Sequence, residues 1–222
     1  MGDDFRNRMI FLGDEDLDAL RADIIDECST FLARRGLRRI EREDDADRSV
    51  AFGPPARWLF MGDTAGSTEC AAPEDWRALS ALISARFPIA EVIMSDSCCV
   101  HIELWRGGQI VDRIGTGEMP WGELKEDTAA KLGGVPARWR SFLLPEHGDS
   151  ELSERWHMNQ RPFDLIRQAI ALFGWHPSLC CTGYSLDLDG IFCKYEPEDH
   201  DLTESDFTEL HWDESNLSNA SP

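Results

Sequence analysis

The sequence predicts an α+β domain: a mixed, mostly antiparallel sheet with helices packed on one face, continued by an acidic flexible tail. Three observations predict it. Apolar runs of strand length alternate around glycine turns, as in Cys99–Trp105 and 109–114 on either side of Arg106-Gly107-Gly108. Two longer segments, 14–35 and 73–86, carry apolar residues at helical three- and four-residue spacing. From Tyr195 to Pro222 there are nine acids and no Lys or Arg, a composition that favours disorder. The expected division is one domain over 1–195 and a tail over 196–222.

In chain order, residues 9–12 form a short apolar run, a first strand or a staple for the following helix. Asp14 is the expected cap of that helix, and Leu17, Leu20, Ile24, Cys28, Phe31 and Leu32 share its inner face. Gly36 stops it. The charged stretch 41–49 joins expected strands near 37–40 and 49–52. Residues 57–61 form a buried strand, and Pro73 starts a helix that buries Trp76, Leu79, Leu82 and Ile83. Because a helix joins 57–61 to 89–94, those two strands are expected to run parallel. The signal fades over 115–148, which reads as a cover over the sheet or a small helical subdomain. A helix over 163–173 stops at Gly174, and Asp189-Gly190 marks a final hairpin between 183–188 and 191–195. Phe207, Leu210 and Trp212 stand in the tail as the material of a short amphipathic segment.

Composition limits the functions. The formal charge is −20, from 42 acids against 22 basic residues. Nucleic acids and anionic membranes are polyanions, so neither is an expected partner, whereas a basic protein is. The start MGDDFRNRMIFLG is not a secretion signal, and no apolar run approaches membrane length. Seven cysteines without such a signal suit a reducing cytoplasm.

No stretch carries a phosphate-binding glycine loop, a nucleophile elbow or a zinc-protease helix motif. The candidate sites are therefore places. Asp63 and Asp96 each follow a strand of the unit expected to be parallel, and ligands bind at the carboxyl ends of such strands. With Ser67, Thr68, Ser95 and Ser97 beside them, they form a candidate cation or water site. His101 and Glu103 share one face of an alternating strand with Cys99 and Trp105, an arrangement suited to a base and its orienter or to ligand contact. That face is expected to be solvated or covered by 115–160, with Arg57 within reach. A metal set drawn from Cys99, His101, Cys181 and Cys193 is the remaining combination, although adjacent cysteines point to opposite faces of a strand. No cofactor is implied. The leading expectation is a non-enzymatic acidic module, an inhibitor, immunity-type or regulatory protein that binds a basic surface. The alternatives are a metal-dependent hydrolase using Asp63 and Asp96, and a structural subunit.

Overall fold

The computed structural model describes residues 5–14, 16–41, 46–63, 73–95, 99–116, 133–157, 161–176, 186–187, 190–191 and 206–213. Strand β1 (Phe5–Phe11) leads into α1 (Leu17–Arg34), β2 (Arg38–Ile40), β3 (Arg48–Phe52), β4 (Trp58–Asp63) and α2 (Pro73–Ser84). A meander of β5 (Ile89–Ser95), β6 (Cys99–Arg106) and β7 (Gln109–Thr116) follows. Next come α3 (Pro136–Trp139), a 3₁₀ turn at Arg140–Phe142, α4 (Asp149–Arg155) and α5 (Pro162–Phe173). The hairpin β8 (Leu186–Asp187) and β9 (Gly190–Ile191) precedes β10 (Thr208–Asp213).

Eight strands form one sheet in the order β2-β10-β3-β4-β1-β5-β6-β7. Every pairing among the described residues is antiparallel. The α+β class with an antiparallel sheet and several helices is therefore what the chain adopts. The expected parallel pair is not a pair. Strands β4 and β5 point the same way, but each is antiparallel to β1, which lies between them. The physical reason lies in β1 itself, whose Met9 and Ile10 are buried on the two faces and whose Arg8 meets the buried acids of both neighbours.

Helices cover both faces of the sheet, not one. On the first face Met9, Trp58, Phe60, Val92, Val100, Ile102 and Leu104 meet Trp139, Phe142, Trp156 and the inner side of α5. On the second, Ile10, Leu59, Met61, Val50 and Trp105 meet Ile24, Cys28, Leu32, Leu79 and Ile83 of α1 and α2. Successive residues of a strand point to opposite faces, so the two groups interleave along each strand. The apolar runs of β4 and β5 lack polar alternation because both of their faces are covered.

Local chemistry explains the element ends. Asp16, not Asp14, caps α1, its carboxylate accepting from Ala19 N at 3.3 Å. Gly36 follows the helix at φ 89° and Gly174 ends α5 at φ 71°, both in the left-handed region that favours glycine. Gly107 and Gly108, at φ 57° and 78°, make the tight β6–β7 turn. In the last hairpin Asp187 pairs with Gly190, so the connection is 188–189, one residue earlier than the Asp-Gly signal suggests.

Residues 133–157 cover the first face. Helices of four and seven residues have little stability of their own; aromatic packing holds them. Trp156 lies 4.9 Å from both Trp139 and Phe173, and such ring pairs add about 0.5–1.5 kcal/mol each beyond area burial. Asp112 on β7 ties the segment down, accepting from Val135 N at 2.9 Å and Trp139 Nε1 at 2.7 Å.

The composition-based tail boundary at 195 is corrected by β10. Residues 208–213 lie between β2 and β3 and bury Leu210 and Trp212 in the core. Arg21 of α1 secures the strand's start through Thr208 Oγ1 at 2.8 Å. Strands β2 and β3 consequently do not pair with each other. Alternation of Leu210 and Trp212 with polar residues outweighs the acidity around them.

Candidate functional site

Asp63, Cys99, His101, Glu103 and Trp105 fall on the second face of the sheet, where α2 lies over a layer of buried charge. One register row crosses the sheet: Met61 of β4, Arg8 of β1, Glu91 of β5, Glu103 of β6 and Arg113 of β7. Neighbours in such a row share a face and their side chains touch. Arg8 is wholly buried. Its guanidinium lies 3.4 Å from the centre of the Trp76 ring and donates to Ser80 Oγ at 2.8 Å and Trp76 O at 3.0 Å. Those two residues of α2 also reach Glu91: Trp76 Nε1 donates to Oε1 at 2.8 Å, and Ser80 Oγ donates to the same oxygen. Arg8 Nε sits 3.6 Å from that carboxylate.

Asp63 ends β4 beside this row. Arg48 grips it with both arms of its fork, Nε to Oδ1 at 2.9 Å and Nη2 to Oδ2 at 2.6 Å. Arg8 Nη1 adds a longer contact to Oδ2 at 3.5 Å. The carboxylate is buried and both of its oxygens accept from guanidinium groups, so it does not stand in an open crevice. Asp96, Ser67, Thr68 and Ser97 lie outside the described residues. With β1 between β4 and β5, the two strand ends are about 10 Å apart.

His101 and Glu103 do share a face, as alternation requires; it is the face on which α1 and α2 pack, whereas the described residues 133–157 cover the other one. Val100, Ile102 and Leu104 meet the aromatic layer instead. Glu103 accepts from Arg113 Nε at 2.7 Å. Buried His101 lies over Gly115, whose absent side chain leaves room: a Cβ there would meet the imidazole at 3.1 Å. Trp105 packs with the core of α1 and α2 and offers no exposed platform. Arg57 reaches the other side, donating to Leu143 O at 3.1 Å. Cys99 is buried, while Cys181 and Cys193 lie outside the described residues. Among the described residues no three His, Cys, Asp or Glu side chains are grouped to hold a metal ion.

The electrostatics of the layer follow from burial. Desolvation pushes the Glu91 carboxyl above the ordinary range, with Arg8 pulling the other way and Glu103 adding to the rise. Burial pushes the Cys28 thiol beside this layer up to about 12, so it is no nucleophile in the folded chain. The Glu91 shift has a sign that can be tested. The folded chain holds this proton more tightly than the unfolded chain, so the contribution is present at low pH. It is lost as pH rises from the ordinary carboxylate range through the raised value. Urea midpoints measured across that range should fall more steeply for the wild type than for E91Q. Parallel curves would show that Glu91 is not responsible.

Solvent-facing charge gathers elsewhere. On α1, Asp18, Ala22 and Asp26 are exposed at four-residue spacing, which sets them in one row along the helix, and exposed Asp14 and Asp16 precede them. Arg21, the basic residue among them, turns inward to Gly53 O at 2.8 Å and to Thr208. Asp23 and Glu27, on the flank, are partnered by Arg86. Among the described residues, Asp14, Asp18 and Asp26 form no ion pair. A second polar place, a concavity of about 500 Å³, lies at the outer end of the sheet between Arg39, Ile40, Glu41, Glu209, Leu210 and His211. There His211 Nδ1 meets Ser49 Oγ at 2.9 Å across the β3–β10 pair. Sequence reasoning missed His211 and Glu209 because they stood in the expected tail; the Leu210 and Trp212 alternation was the available signal.

No protein-family model, curated protein or solved structure matches the chain. No helix among the described residues is long and apolar enough to cross a membrane.

Proposed function

We propose that this protein is a non-enzymatic acidic binding module, of the inhibitor, immunity-type or regulatory kind, which covers a basic protein surface. The observation that supports the reading is the acidic group at the start of α1. Asp18 and Asp26 of α1, with Asp14 just before the helix, project to solvent without an ion pair among the described residues, and Arg21, which acts on Asp18 through space, gives its hydrogen bonds to Gly53 and Thr208. Many other surface acids are offset within the chain, as Asp75 is by Arg35, Asp149 by Arg140 and Asp164 by Arg167. Outward-facing acidic charge gathered in one place attracts a complementary partner and speeds its approach. The hydrolase alternative draws no support from Asp63, whose carboxylate is engaged by Arg48 and Arg8.

Binding to a strongly basic probe protein, egg-white lysozyme, tests the reading. The variant D14N/D18N/D26N should bind about tenfold more weakly at low salt, the sum of three exposed charge contacts. E74Q/E146Q/E154Q removes the same formal charge from other exposed positions and should change binding much less. Binding by the parent should also weaken as salt shortens the screening length to about 8–10 Å. Equal losses in the two triple variants would leave only net charge at work and sink the assignment to α1.

A further inference from the structure

The two outer edges of the sheet are treated differently. At β7 the edge is covered: Gly133 bridges to Ile114, Gly134 N donates to Arg113 O at 2.9 Å, and Arg138 donates to Val111 O. At the other end β2 pairs with β10 on one side, and no described strand takes its outer side. An open strand edge presents backbone donors and acceptors to any strand that fits.

The side chains on β2 say which strand fits. Ile40 is opposite His211 and therefore points to the first face, while Arg39, opposite Trp212, points to the second. Arg39 and Glu41 are exposed and stand two residues apart, one on each side of Ile40. Neither side chain has a hydrogen bond or ion pair with the described residues. Arg38, by contrast, is held by Asp213 of its own chain at 3.0 Å.

We infer that β2 pairs with β2 of a second copy of this chain, antiparallel about a two-fold axis at Ile40, so that the sheet continues across a dimer. A two-fold axis perpendicular to a sheet sets opposite one another residues whose numbers have a constant even sum, and such residues share a face. Centred on Ile40, this register places Ile40 against the other copy's Ile40 on the first face. On the second face it places Arg39 against the other copy's Glu41, and Glu41 against its Arg39. Over residues 39–41 the edge is thus self-complementary, with one apolar pair on the axis and two opposite-charge pairs beside it; Arg38, which the register sets against Arg42 of the other copy, is neutralised by Asp213 of its own chain. Shifting the register by two residues in one direction sets Arg39 against itself, so charge selects the centre at Ile40.

Sedimentation velocity of the full chain over a range of concentrations tests this, because the pairing makes two charge variants complementary. R39E alone sets the introduced glutamate against Glu41 of the other copy, twice per dimer. E41R alone sets the introduced arginine against Arg39 of the other copy, again twice. Each is expected to weaken dimerisation at least about tenfold, since the symmetry doubles every repulsion. In an equimolar mixture, a dimer of one R39E chain and one E41R chain sets glutamate against arginine on both sides of the axis, so the dimer should be recovered. A wild type that stays monomeric at millimolar concentration overturns the proposal. So does a dimer that either single variant leaves intact, or a mixture that stays monomeric while the wild type dimerises.

Discussion

Replacing Arg8 with methionine is expected to destabilise the fold by about 3–5 kcal/mol, because removing one partner of a buried ionic group leaves the other charge without compensation. Arg8 is the centre of the charged layer: it stacks on Trp76, bonds Ser80, and faces both Glu91 and Asp63. Glu91 suffers most from its loss, since Asp63 retains the fork of Arg48. Adding E91Q to R8M should therefore recover about 1–3 kcal/mol, the coupling expected of residues in one network. Chemical denaturation of the two single variants and the double variant measures this directly. Additive losses would mean that Arg8 and Glu91 do not act on each other, and that the layer is held by packing alone.

A chain ending at residue 205 should fail to fold. It lacks β10, and with it the only partner of β2 among the described strands and one of the two partners of β3. Leu210 and Trp212 leave the core with it. Truncation of one buried tryptophan already costs about 3–5 kcal/mol, against a total stability of about 5–15 kcal/mol for ordinary domains. Two newly exposed strand edges add an aggregation hazard. Circular dichroism and solubility of the shortened chain, with W212A as the milder variant, provide the check. A flexible tail would come off without consequence, so a soluble, fully folded 1–205 chain contradicts the placement of β10.

These expectations mark where sequence reasoning succeeded and where it stopped. Helices α1 and α2, the β5–β6–β7 meander and α5 were legible because periodicity, glycine turns and caps agree locally. What was not legible is order within the sheet. Nothing local states that β1 separates β4 from β5, or that β10 arrives from more than 150 residues away to lie beside β2. Such neighbours are fixed by long-range packing of apolar faces. The acidity of the segment after Tyr195 pointed to disorder, while the alternation of Leu210 and Trp212 within it pointed the other way, and packing decided. The candidate residues were legible as types only. Asp63, His101 and Glu103 look the same in sequence whether they face solvent or a helix. The role of Asp63 turned on Arg8 and Arg48, and that of Glu103 on Arg113, residues in runs whose burial the local pattern does not reveal. The basic residues that neutralise the buried acids lie 55 and 15 positions from Asp63.

The most direct test of the proposed acidic binding face is a map of contact at residue resolution. Backbone amide resonances of the isotopically labelled full chain, titrated with lysozyme at low salt, report where a basic surface docks. The largest changes are expected on residues 14–26, the start of α1 and the turn before it, and they should disappear in D14N/D18N/D26N. Changes spread evenly over all exposed acids, or concentrated away from α1, would contradict it.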